Sequence, residues 1–186
     1  MKFSMKKVTV LLADGFEEIE ALTVVDLLRR AKVYVDTVSI TDDYTVRGAH
    51  GIPVQTEDLI TEIDFKESDM IVLPGGMPGT TNLKEDENVR KAVQEAYDDG
   101  RYVAAICAAP TILADMGLLK GKRATCYPDM ESEIEDAYLT GAPVATDENI
   151  ITSQGVGTAI DFALKLIEVL ISEEKAVEIA DSIVYQ

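Results

Sequence analysis

The chain has 186 residues, of which 47% are hydrophobic and 27% are charged, so it is long and apolar enough to fold as a single globular domain over residues 1–186. Its formal net charge of −17 disfavours binding to nucleic acid or to an anionic membrane. The opening MKFSMKKV has no signal-type apolar segment, and no apolar run is long enough to span a membrane. Together with the presence of only two cysteines, this pattern predicts a cytoplasmic protein with free thiols.

Short apolar runs alternate along the chain with amphipathic stretches. In chain order the pattern predicts strand 8–13, helix 17–31, strand 33–40, hairpin 44–54, strand 70–76 with its glycine-rich end, helix 88–98, strand 102–107, helix 108–116, strand 123–127, short helix 129–137, strand 149–153 and helices 155–172 and 173–183. The apolar face predicted for the first helix consists of Ile19, Leu22, Val25 and Leu28.

This alternation of strands and helices is typical of βαβ units, and strands that are apolar throughout are buried on both faces. We therefore predict an α/β fold: a flavodoxin-like three-layer α/β/α sandwich with a mostly parallel sheet. In such folds ligands bind beyond the carboxyl ends of the strands, where the strand order reverses.

Cys107 is the first candidate for chemistry, because it ends a predicted strand and a helix follows at once. This is the arrangement of a nucleophile elbow, and the positive end of the helix predicts a lowered thiol pKa. A packed structural cysteine is the alternative interpretation, and it is the one we favour for Cys126.

Two further strand ends carry candidate groups. The N–H groups of Gly75 and Gly76 are suited to an oxyanion hole, although a tight turn explains paired glycines equally well. Glu20 lies in the first turns of the first helix, where an inward-facing carboxyl would be desolvated and suited to acid–base chemistry. We expect its neighbours Glu17 and Glu18 to be solvated.

The segments DGFEEIE, VLPGG, AAICAAP and ITSQGVGTAIDFALKLIE, in this order, resemble the ThiJ/PfpI superfamily, specifically its DJ-one branch, which is named for the Parkinson-linked protein deglycase. The resemblance covers residues 7–183. It implies a flavodoxin-like fold, a homodimer and chemistry without a metal or organic cofactor.

The same resemblance assigns roles to particular residues. It implies that Cys107 is the reactive thiol, that Glu20 is a buried carboxyl bonded to it, and that the amides of Gly75, Gly76 and Ala108 face the thiol. On the same basis Asp26 matches an aspartate further along the first helix, and Ser153 and Gln154 line the pocket.

The sequence also departs from the pattern of the branch. Tyr127 stands where relatives often have a histidine, and Gln154 stands where an arginine is common. A histidine beside the nucleophile, as in protease-like relatives, is replaced by Ala108, so protease or amidase activity is only a minor alternative. His50, the single histidine, lies in the hairpin, either as an ordinary polar residue or as a base supplied across a dimer interface.

The function predicted from these residues is that of a cysteine-dependent stress-response protein. It would act on a small aldehyde substrate of the 2-oxoaldehyde class as a glyoxalase or deglycase, a hydro-lyase or hydrolase. The alternative is a redox sensor or chaperone-like protective protein in which Cys107 is oxidised to sulfinate without turnover.

Overall fold

A computed structural model describes residues 5–186, so the first four residues of the opening segment lie outside it. Its main sheet has seven strands in the order β10-β11-β7-β6-β1-β2-β5. Every pairing is parallel except that of β10 with β11 at one edge. These strands are β1 Lys7–Leu12, β2 Tyr34–Ser39, β5 Asp58–Leu59, β6 Met70–Leu73, β7 Tyr102–Ile106, β10 Val144–Asp147 and β11 Ile150–Ser153.

Two small sheets complete the strands. The hairpin β3 and β4 is antiparallel, as the glycines between its arms predict, and β8 pairs with β9 in parallel. Their bounds are β3 Thr45–Arg47, β4 Pro53–Gln55, β8 Arg123–Ala124 and β9 Tyr138–Leu139. The strand predicted over 123–127 is therefore shorter than expected, because residues after Ala124 turn away towards the Cys107 loop, where Tyr127 N donates to Cys107 O.

Helices cover both faces of the main sheet, which confirms the predicted three-layer α/β/α architecture. The helices are α1 Glu18–Arg30, α2 Gly79–Glu85, α3 Glu87–Asp98, α4 Pro110–Asp115, α5 Ala159–Leu170 and α6 Glu173–Ser182, with 3-10 turns at Phe65–Glu67, Pro128–Glu133 and Val156–Thr158. One apolar core lies between the sheet and α1, α5 and α6, and the other lies between the sheet and α2, α3 and α4. None of these helices is long and apolar enough to cross a membrane.

Several elements differ from those predicted from the sequence. Helix α2 and strands β5, β9 and β10 were missed, and the helix expected at 129–137 is a short 3-10 turn over Pro128–Glu133. The predicted apolar face of α1 is wrong in its first turns, because Ile19 and Leu22 are 53% and 38% exposed. The buried side of α1 there carries Glu18 and Glu20 instead.

Candidate active site

Three loops meet at the carboxyl edge of the parallel sheet, where the strand order reverses between β1 and β6. Glu20 follows β1, Gly75 and Gly76 follow β6, and Cys107 follows β7, which is the next strand along. The sheet therefore brings together the three groups that the sequence singled out, at the edge where α/β folds bind ligands.

Cys107 occupies a strained turn of the kind predicted for it. Its φ is 65°, in the left-handed region that non-glycine residues rarely adopt. Flanking hydrogen bonds hold this conformation: Cys107 N donates to Ser153 O at 3.0 Å, and Tyr127 N donates to Cys107 O at 2.8 Å. Strand β11 and the loop after β8 thus fix the backbone on both sides of the cysteine, which is how strain is maintained at a functional site.

Glu20 is fully buried beneath the cysteine. Its Oε2 accepts a hydrogen bond from Gly75 N at 2.9 Å, whereas its buried Oε1 has no conventional hydrogen-bond partner within residues 5–186. Burial raises the pKa of Glu20 to about 7, against the lowering effects of the Cys107 thiol and of Gly75 N–H. The carboxyl is therefore close to half-protonated at neutral pH, as a general acid–base requires.

The sulfur of Cys107 lies between this carboxyl and two backbone donors. Burial, followed by the Glu20 carboxylate, raises the pKa of Cys107 to about 12, while N–H groups of Ala108 and Gly76 lower it. The predicted lowering of the thiol pKa is thus wrong, because burial and the Glu20 carboxylate outweigh the two amides. The prediction that the Gly75 amide faces the thiol is also wrong, because its N–H donates to Glu20 Oε2.

The two groups are best treated as one titrating pair. Loss of the first proton, near pH 7, leaves one negative charge that either the carboxylate or the thiolate can carry. With the proton on Glu20, the Gly76 and Ala108 amides stabilise the thiolate and the repulsive carboxylate is absent. The thiolate is therefore the minor form of the singly charged pair, because burial raises the pKa of Cys107 well above that of Glu20.

A cavity of about 460 Å³ opens above this pair. Its lining comprises Glu17, Glu20, Gly76, Cys107, Tyr127, Pro128, Gln154, Gly155, Val156, Gly157 and Thr158. Another cavity, of about 440 Å³, lies around Lys84, Arg90 and Asp115, but these charges pair with one another and no cysteine is among its lining residues. The Cys107 cavity is therefore the candidate active site.

Comparison with known proteins agrees with this geometry. The family model described as "DJ-1/PfpI family" matches residues 6–169. The chain belongs to the DJ-1/PfpI family. The resemblance read from its motifs is therefore confirmed, and so is the fold that this resemblance implied.

Individual members of the family resemble the chain over most of its length. It is 40% identical to Protein DJ-1 homolog B of Arabidopsis thaliana over 99% of this chain, although it spans only 42% of that longer relative. It is 34% identical to the Glutathione-independent glyoxalase DJ-1 of Schizosaccharomyces pombe, with 92% of this chain and 94% of the relative covered. The crystal structure of Drosophila melanogaster DJ-1beta matches at a TM-score of 0.94 and 34% identity, over 98% of this chain and all of that chain.

Within this family site, the loop after β11 is organised by Thr158, which the sequence analysis did not single out. Thr158 Oγ1 accepts from Gln154 N and Gly155 N at 3.2 and 3.1 Å, and it shares a 2.7 Å hydrogen bond with Ser153 Oγ. Ser153 is thus buried support for the Cys107 loop, whereas Gln154 lines the cavity as predicted. A threonine side chain that caps its own loop leaves no spacing signal that would reveal it.

Three other candidates are placed as follows. Tyr127 is 44% exposed and lines the cavity beside Cys107. Asp26 is not among the lining residues and pairs with Arg30 on the exposed side of α1, at 2.8 Å. Cys126 is buried, and burial raises its pKa to about 12, which suits its interpretation as a structural cysteine.

His50 reaches the start of α1 from the turn of the β3–β4 hairpin. Glu18 is only 4% exposed, so the expectation that it is solvated is wrong. Its Oε1 accepts from His50 N and its Oε2 from His50 Nδ1, both at 2.8 Å. Glu17, which lines the cavity, contacts the same imidazole, with its Oε2 3.5 Å from His50 Nδ1. The hairpin turn, which lies far from α1 in sequence, thus buries Glu18.

The ligand atoms of Glu17, Glu18 and His50 all lie within 4.8 Å of one another, which is the spacing of a metal-binding cluster. Two physical facts oppose a cation there. The positive end of α1 disfavours it, and the Nδ1 lone pair would have to replace the hydrogen bond to Glu18. We therefore interpret the cluster as an imidazole bridging two carboxylates, and we assign no metal to it.

Proposed function

We propose that this protein converts small 2-oxoaldehydes to 2-hydroxy acids at Cys107 without a cofactor. The observation that carries the proposal is a buried carboxyl with a pKa of about 7 next to a nucleophile on a strained elbow. A relative with 34% identity that is named a glutathione-independent glyoxalase supports the same chemistry.

The reaction begins from the singly charged pair. The Cys107 thiolate attacks the aldehyde carbon, and the proton held by Glu20 passes to the aldehyde oxygen, giving a hemithioacetal. The N–H groups of Gly76 and Ala108 face the sulfur, and in this mechanism they stabilise the oxygen while it is negative. This step leaves Glu20 as a carboxylate in a buried site, ready to act as a base.

Proton transfer then isomerises the bound substrate. Glu20 removes the hydrogen on the former aldehyde carbon, which gives an enediol, and returns a proton to the adjacent carbon. The hydroxyl proton passes from the former aldehyde oxygen to the former ketone oxygen, so that the hemithioacetal becomes a 2-hydroxy thioester. Water hydrolyses the thioester, which releases the hydroxy acid and restores the thiol. Neither oxidant nor reductant is consumed, because one carbon is oxidised as its neighbour is reduced.

The direct test is turnover of methylglyoxal by reduced protein, followed by chiral analysis of the lactate formed. Cys107→Ser and Glu20→Gln should each lower kcat/KM at least 100-fold, whereas Cys126→Ser should retain activity. Unchanged methylglyoxal at high protein concentration, with Cys107 shown to be reduced, would rule out the proposal.

Redox sensing by the same thiol is the second candidate function. A thiolate that reduces two molecules of hydrogen peroxide to water becomes a sulfinate. The Gly76 and Ala108 amides and a protonated Glu20 surround the sulfur and would hold the sulfinate oxygens. Mass spectrometry after graded peroxide treatment should find sulfinate at Cys107 and not at Cys126, and Glu20→Leu should slow its formation.

We further propose that the protein acts as a cytoplasmic homodimer. Ile19 and Ile52 are each about half exposed, at 53% and 52%, and Leu22 is 38% exposed. They lie close together, because Ile52 N donates to Glu18 beside Ile19. An apolar surface of this kind is typical of a subunit interface, and a second copy of the chain would bury it.

A further inference from the structure

His50 is the one titratable group of the β3–β4 hairpin turn that contacts the carboxylates at the start of α1. Its imidazole lies 2.8 Å from Glu18 and 3.5 Å from Glu17. The backbone of the turn fits closely against the same carboxylate, since a Cβ on Gly48 would lie 2.2 Å from Glu18 Oε1. The contact is therefore built by the fold and is more than a chance meeting of surface charges.

Glu17 connects this contact to the cysteine. It lines the Cys107 cavity, and its side chain is only 12% exposed. Its negative charge also contributes to raising the pKa of Glu20. The charge on the imidazole thus acts on a carboxylate that in turn acts on the proton shared by Glu20 and Cys107.

We propose that His50 is a positioning residue that couples solution pH to the Cys107 site, by binding the Glu17 and Glu18 carboxylates when it is protonated and releasing Glu17 when it is neutral. The hydrogen bond to Glu18, and then the charges of Glu17 and Glu18, raise the pKa of His50 above its ordinary value of 6.5. The imidazole therefore keeps its proton to a higher pH than an unperturbed histidine, the side chain most often used as a pH switch.

The other charged groups near His50 lie in the hairpin, in the loop after β1 and at the start of α1. Arg47 lies in the same hairpin, where its guanidinium donates to Gly51 O, and it stays charged at all relevant pH values. Asp14 accepts from Arg47 N. On α1 the groups that face the imidazole are Glu17 and Glu18, and Glu17 and Cys107 are the charged or titratable neighbours of Glu20.

The test follows the pH at which iodoacetamide alkylation of Cys107 reaches half its plateau, in buffers that contain a chelator. His50→Gln removes the positive charge, so Glu20 should hold its proton more tightly and the midpoint should rise by about half a pH unit, the size expected for a charge that acts through an intervening carboxylate. His50→Arg keeps the charge and should leave the midpoint within about 0.2 units of the wild-type value.

A second pair of variants tests the route through Glu17. Glu17→Gln should lower the midpoint, and the effect of His50→Gln should fall by more than half in that background. Equal shifts for His50→Gln and His50→Arg would mean a purely structural role and would overturn the proposal, as would an undiminished His50→Gln effect without Glu17. The inference rests on the Glu20–Cys107 pair of the proposed function, but alkylation does not depend on turnover, so failure of the glyoxalase assay would not decide it.

Discussion

Replacing Glu20 by glutamine should change how stability depends on pH. Burial raises the pKa of Glu20 from 4.5 to about 7, so between these values the folded chain binds more protons than the unfolded chain. The stabilising contribution of the neutral carboxyl is complete below about pH 4.5 and is lost as the pH rises through about 7. Glutamine is neutral throughout and lacks this dependence.

The size of the effect follows from the shift. At 1.36 kcal/mol for each pKa unit, ionising the buried carboxyl costs the folded state about 2.5 kcal/mol between pH 5 and pH 8.5. Relative to wild type, Glu20→Gln should therefore gain about 2.5 kcal/mol in free energy of unfolding over that interval. If the glutamine amide packs less well than the carboxyl, the resulting loss of unfolding free energy is the same at every pH and does not change the slope of the pH profile.

Urea unfolding of reduced protein at half-unit pH steps measures this difference. Glu87→Gln is the matched control, because Glu87 is an exposed glutamate at the start of α3 and its replacement should leave the profile nearly parallel to wild type. If the profile of Glu20→Gln also runs parallel to wild type within about 1 kcal/mol, Glu20 is not the buried acid that the mechanism needs.

Three further predictions concern space and assembly. Gly75→Ala should destabilise the fold by about 2 kcal/mol and abolish turnover, because its Cβ would lie 2.6 Å from Cys107 Cβ. Gly157→Ala is the control: a Cβ at Gly157 meets nothing within 4 Å, so this variant should keep its thermal midpoint within a few degrees of wild type. Gly155→Leu should raise KM for methylglyoxal and leave the melting temperature within a few degrees of wild type, since the side chain would enter the cavity. Unchanged kinetics would contradict the assigned pocket. Ile19→Asp should yield a monomer by light scattering, and a dimer that persists would place the interface elsewhere.

The sequence was sufficient to predict the groups that follow the sheet strands. Apolar β-branched runs mark β1, β6 and β7 because these strands are buried on both faces, and the parallel topology then brings their following loops together. Gly76 and Cys107 could be identified for this reason, whereas the assignment of the buried carboxyl to Glu20 rested on the resemblance to the family. The elbow at Cys107 was also predictable, since a strand and a helix separated by so few residues require a sharp turn.

Contacts between distant loops could not be read from the sequence in the same way. Periodicity placed Ile19 and Leu22 in the core, but the hairpin turn covers the other side of α1 and buries Glu18. The thiol pKa was predicted from the local helix end alone, whereas burial and the Glu20 carboxylate, which depend on packing, raise it. Local sequence carries no signal for either effect.

The central claim is that Cys107 and Glu20 share one proton, and the pH dependence of alkylation tests it most directly. In wild-type protein the iodoacetamide rate at Cys107 should rise through about pH 7 to a plateau, because the thiolate belongs to the singly charged pair. Glu20→Gln should lose that rise, and Cys126 should remain unreactive in both proteins. A Cys107 rate that titrates identically with and without Glu20 would contradict the shared proton and the mechanism built on it.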